Sequence, residues 1–183
     1  MRCMIFCSST SFPWQQRERE QTFVTSYILS WLDYCNCLLM GTPNSAIQPL
    51  QKVQNFAARL ILMAPCYHHS TTILQKLHWL PISQNIKYKV ASMRFHAING
   101  SSPTYLSEIL DIYTPSRTLR SSSDSRMLKM QQYKRKTQGF RIFTYFGPCV
   151  WNSLPQDIRQ CSTLTSFRAN LKTFLFSQYF HSS

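Results

Sequence analysis

The chain has 183 residues, 44% of them hydrophobic and 14% aromatic, enough to build a core of its own. Twenty Lys and Arg against seven Asp and Glu leave a net charge of +13, so most cations have no acidic neighbour and an anionic partner such as nucleic acid is favoured. Seven Cys make no even disulfide framework, no window approaches the ~20 apolar residues of a membrane span, and the opening segment lacks a signal-peptide pattern; a secreted or membrane protein is disfavoured, and a nuclear or cytoplasmic one expected.

Residues 1–17 show neither helical nor strand periodicity and a helical pattern sets in from Glu18; residues 1–21 are set apart as a poorly ordered N-terminus. Phe23, Val24, Tyr27, Ile28, Trp31, Leu32, Cys35, Leu38 and Leu39 recur at three-four spacing, which predicts one apolar helix face stopped by Gly41 and Pro43. A second helix, with Pro49 in its first turn, carries Leu50, Val53, Ala57, Leu60 and Ile61 inward and Gln51, Lys52, Gln54, Asn55 and Arg59 outward, ending before Pro65. A short helix follows, capped by Ser70 or Thr71 and ended by Pro81. Another, capped by Ser83, buries Ile86, Val90, Met93, Ala97 and Ile98, points Lys87 and Arg94 outward, and closes at Asn99-Gly100. Thr104 to Leu110 is one more short helix, so residues 22–110 form a helical bundle of about five helices.

Residues 111–126 are a basic, Ser-rich loop. Between Arg117 and Arg141 stand eight of the twenty Lys and Arg, namely Arg117, Arg120, Arg126, Lys129, Lys134, Arg135, Lys136 and Arg141, against the single acid Asp124. Such a surplus cannot be buried unpaired, so these residues are the candidate phosphate contacts, with Lys87 and Arg94 extending the track. Residues 127–183 read as a small α+β aromatic-rich lobe. Its apolar runs, Met127 to Met130 and Phe140 to Phe146, fit a β-hairpin, with a helix as the alternative for the second run. Aromatics from Phe140 to Trp151 are candidates either for base stacking or for the lobe's core. Leu164, Phe167, Leu171, Phe174 and Leu175 predict a final amphipathic helix with Arg168 and Lys172 outside. The fold class expected is mainly α.

Catalytic chemistry finds little support. No Asp-Asp or Asp-x-Asp pair exists to converge on Mg²⁺, and there is no Gly-rich phosphate loop. Cys66, His68 and His69, with Cys35 or Cys37, are the best metal candidates, yet their spacing matches no zinc pattern. No catalytic residue, metal or cofactor is therefore expected.

The run Leu32-Asp33-Tyr34-Cys35-Asn36 with Leu38 to Gly41, then LQKVQNFAARLI (Leu50 to Ile61), LHWLPI (Leu77 to Ile82), INGSSPTYLSEIL (Ile98 to Leu110), YTPSRTLRSS (Tyr113 to Ser122), GP-x-x-WNSLP (Gly147 to Pro155) and SFRANLKTFLF (Ser166 to Phe176) together resemble a known family. In this order they are similar to the C-terminal, post-palm region of LINE-type non-LTR retrotransposon reverse transcriptases of the jockey and chicken-repeat kind, over about residues 22–180. The resemblance implies a thumb-like helical bundle and a tail that help to hold RNA or single-stranded DNA, alongside a palm-bearing reverse transcriptase. The endonuclease and the paired-aspartate palm are absent from this sequence, so no catalysis carries over. The reading is a truncated, non-catalytic nucleic-acid-binding element; the alternative is a structural remnant with no activity of its own.

Overall fold

A computed structural model of the chain describes residues 19, 22–65, 67–104, 113, 126–130 and 142–181. Among these the architecture is mainly helical. Helix α1 is a π-helical segment, Val24–Leu29, running into an α-helical turn, Ser30–Asp33; a 3₁₀ turn at Asn36–Leu39 follows. Then come α2 (Asn44–Leu62), α3 (Ser70–Lys76) and α4 (Ile82–Ile98). After the basic stretch, a π-helical turn (Ile142–Phe146) leads into α5 (Gly147–Asn152), α6 (Gln156–Arg159) and α7 (Leu164–His181).

The C-terminal helices do not form a lobe of their own. Phe167 of α7, fully buried, stacks on Phe95 of α4 at 4.4 Å and on Trp151 of α5 at 5.7 Å, so one aromatic core joins the two halves of the sequence. Large rings dominate such a core because each removes more apolar area from water than any aliphatic side chain. α7 keeps the expected face: Phe167, Leu171 and Leu175 are buried, Arg168 and Lys172 exposed.

The expected hairpin is not formed in its second run, where Ile142–Phe146 is helical. Thr144, Gly147, Pro148 and Trp151, spaced three and four apart, are all buried, the pattern of a helix face and not of an alternating strand. Among the described residues, extended pairing is limited to an isolated bridge at Leu128, and 131–141 lie outside them.

α2 departs from expectation in two ways. It starts at Asn44, so Pro49 lies inside the helix. It is also turned about its axis: Gln54, Ala57, Ala58 and Ile61 are buried, whereas Val53 and Leu60 are about half exposed (48% and 49%) and Phe56 more so (68%). Two hydrogen bonds, one buried and one part-buried, accompany this rotation. Gln54 Nε2 donates to the Leu80 carbonyl at 2.9 Å, and Gln51 Oε1 accepts the Ile82 N–H at 2.9 Å, serving as a cap for α4 supplied from another helix. The turn they grip, Leu77 to Ile82, passes through His78 in the left-handed region (φ 53°), where its ring stacks on Phe176. The expected Ser70 and Ser83 caps are replaced by His69 and Pro81 at the N-cap positions, neither with a side-chain cap bond.

Candidate nucleic-acid interface

The segment leaving the basic stretch is stitched to the helical body. Asn152, at the end of α5, uses both atoms of its amide on Leu128: Oδ1 accepts the Leu128 N–H at 3.0 Å, and Nδ2 donates to the Leu128 carbonyl at 2.9 Å. A side chain thus replaces the neighbouring strand that a β-ladder would supply. Beside it, the fully buried Trp151 donates its indole N–H to the Arg126 carbonyl at 2.7 Å. The other end of the stretch arrives at the same place, because the Tyr113 N–H donates to the Met127 carbonyl at 2.9 Å. Tyr113 and Met127, 14 positions apart in sequence, therefore meet at the stitched segment.

Of the eight candidate phosphate contacts, Arg126 and Lys129 are among the described residues; Arg117, Arg120, Lys134, Arg135, Lys136 and Arg141 lie outside them. Arg126 is not a free cation. Its guanidinium Nη1 donates to the carbonyls of Arg159 at 2.9 Å and Cys161 at 3.3 Å, at the C-terminal end of α6, where a positive charge meets unpaired carbonyls and the negative end of the helix dipole. Lys129 is exposed, immediately after the stitch at Leu128.

Arg94 departs furthest from its expected place. It is 1% exposed, enclosed under Gly147, and burial brings its pKa down to about 10, so it remains charged at neutral pH. It belongs to the core and does not extend a surface track. Lys87 is half-buried. Of the aromatic residues weighed for stacking, Trp151 has no exposed face and Phe146 packs over Gly41, whose φ of 77° and lack of a side chain let the ring approach; Tyr145 is 37% exposed, and Phe140 lies outside the described residues.

The motifs that carry the resemblance thus hold the fold together. Asp33 accepts hydrogen bonds from Asn36 at 3.4 Å and from Asn85, and pairs with Lys89 at 3.5 Å, tying α1 and the 3₁₀ turn to α4. A cavity of about 210 Å³ opens beside this network, bordered by Gln54, His78, Trp79 and Lys172. Asp33 borders it, with its oxygens bonded to Asn36 and Asn85 and paired with Lys89. Thiol chemistry is muted: burial, reinforced by Cys35, pushes the Cys37 thiol up from its ordinary value, and burial does the same to Cys149. Among the described residues no three His, Cys, Asp or Glu side chains gather around a metal position; His68 and His69 are exposed and Cys66 lies outside those residues. Nor is any described helix long and apolar enough to cross a membrane.

Comparison with protein-family models, with curated proteins and with solved structures gave no match.

Proposed function

We propose that the chain is a non-catalytic module that holds RNA or single-stranded DNA on a basic surface, as its resemblance to the post-palm region of LINE-type reverse transcriptases implies. Two things support this reading, the charge of the basic stretch and the anchoring of its described part: Tyr113 is bonded to Met127, and Trp151 and Asn152 fasten Arg126 and Leu128 to α5. A run of eight Lys and Arg against one Asp, anchored to a helical body at Arg126 to Leu128, suits a polyanion. The motif residues supply that body, and a palm-bearing reverse transcriptase is the protein partner the resemblance implies.

A gel-shift salt titration tests the reading. With six phosphates neutralised on a single strand, log K falls against log salt with a slope of about −4. No shift at low salt with RNA or single-stranded DNA removes the proposal. Primer extension with Mg²⁺ tests the non-catalytic part, and incorporation above background overturns it.

A specific observation favours a second reading, a remnant whose helices once packed on a larger protein. Phe23, Tyr27, Trp31, Val53, Phe56 and Leu60 leave much apolar surface on α1 and α2. Sedimentation as a monodisperse monomer at high concentration counts against this reading; aggregation without nucleic-acid binding supports it.

A further inference from the structure

The sequence places Phe23, Tyr27 and Trp31 on the buried face of α1, and the structure places them outside. The helix buries Leu32 and packs Ile28 and Leu29 against α2 and α4, whereas Phe23, Tyr27, Trp31 and Tyr34 are 64%, 57%, 72% and 80% exposed. The exposed rings are arranged, not scattered. Phe23 and Tyr27 stack with centroids 5.6 Å apart and planes 11° from parallel, and Trp31 follows 6.4 Å beyond Tyr27 with its ring tilted 46° to it. Past Trp31 a hollow of about 410 Å³ is lined by Ser30, Trp31 and Tyr34.

We infer that this row is a stacking platform for the unpaired bases of a single-stranded nucleic acid, with the hollow at Trp31 and Tyr34 receiving one base. The inference rests on the nucleic-acid reading above and adds to it a second contact surface, chosen by ring faces and not by charge. Three observations select a nucleic acid as the occupant. Exposed ring faces beside an open hollow suit a planar base, which stacks on them. Charge is complementary over the chain as a whole, which carries +13. Asp33, the one carboxylate of α1, is drawn to Lys89 and Asn85 on α4. Every base has a π-face, so the platform tolerates any sequence.

The test compares oligo(dT) with an abasic oligonucleotide of equal length, titrated into the full chain and into Trp31→Ala, Tyr34→Ala and the double variant. All these positions are exposed, and an unchanged unfolding midpoint verifies that each variant folds. The expected result is that oligo(dT) binds the parent chain more tightly than the abasic strand and quenches Trp fluorescence. Each substitution then weakens oligo(dT) binding by about tenfold, while abasic binding and the salt slope stay as in the parent. Equal binding of both probes, unchanged in the variants, overturns the platform and leaves the basic surface standing. Failure of both probes to bind removes the nucleic-acid reading and the platform with it. Variants that bind oligo(dT) as the parent does but lose a self-association seen in the parent assign the face to protein contact, which also overturns the inference.

Discussion

Gly147 lies directly over the guanidinium of Arg94: a Cβ at position 147 would come within 2.6 Å of Arg94 Cζ and closer still to its Nε. Neither partner can give way, since Arg94 is 1% exposed and Gly147 opens α5 in the buried face that bears Trp151. Gly147→Ala should therefore cost about 1–3 kcal/mol by overpacking. The double variant with Arg94→Ala should cost less than the sum of the two single changes, because the shortened side chain vacates the space. Urea unfolding of the four proteins in the cycle measures the coupling; strict additivity would show that the two residues do not compete for volume.

Asn152→Ala removes both amide contacts to Leu128 and leaves a half-buried N–H and carbonyl without partners. A loss of about 2–4 kcal/mol is expected from two unsatisfied main-chain groups. The released segment should also be cut by trypsin after Arg126 and Lys129 much sooner than in the parent chain. Asn152→Asp keeps the acceptor alone and should fall between the two.

Much of this was legible in the sequence, and the misses share a cause. In α7 the apolar period and the buried face coincide, so Phe167, Leu171 and Leu175 were read correctly. In α2 and α1 they do not. Hydrophobic spacing reports that a stripe avoids water, not what covers it, and the exposed Val53, Phe56 and Leu60 look in sequence like core residues. Gln54 was read as outward because a polar side chain usually is; its partner, the Leu80 carbonyl, is 26 residues away and has no local signature. Arg94 misled for the same reason, since only the absence of a side chain at Gly147, 53 positions on, makes room for it. GP-x-x-WNSLP signalled importance without saying of which kind, and its Trp and Asn turn out to fasten the chain that carries the cations.

Thiol reactivity should separate by position. Cys35 is exposed, whereas burial and the neighbouring Cys35 raise the Cys37 thiol above its usual 9.0, and burial raises Cys149. At pH 8 iodoacetamide should label Cys35 first, with Cys37 and Cys149 slower and gaining rate only above pH 9. The sign for stability follows from the same shifts. The unfolded chain gives up these two protons before the folded one, so the folded state holds more protons above the ordinary thiol value and stability falls as pH rises there. Cys37→Ser with Cys149→Ser should flatten that decline; peptide mapping after timed labelling checks the order, and equal rates at Cys35 and Cys37 would contradict it.

Arg126 and Lys129 are three residues apart, carry the same charge, and should answer substitution in opposite ways. Arg126 spends its guanidinium on the carbonyls of Arg159 and Cys161, so Arg126→Gln should destabilise the fold by about 1–3 kcal/mol, the cost of leaving those acceptors and the end of α6 uncapped. Its effect on the salt dependence of nucleic-acid binding, measured on the folded fraction, should be small. Lys129 is exposed, so Lys129→Gln should leave the unfolding midpoint within experimental error and lower the magnitude of the salt slope by roughly 0.7 on a single strand. Charge reversal at Lys134, Arg135 and Lys136 together should reduce the slope by about 2 and weaken binding alike for every sequence tested, because phosphate contacts carry no base information. Loss confined to one sequence would mean that these side chains read bases, and an unchanged slope would take them off the phosphate track altogether.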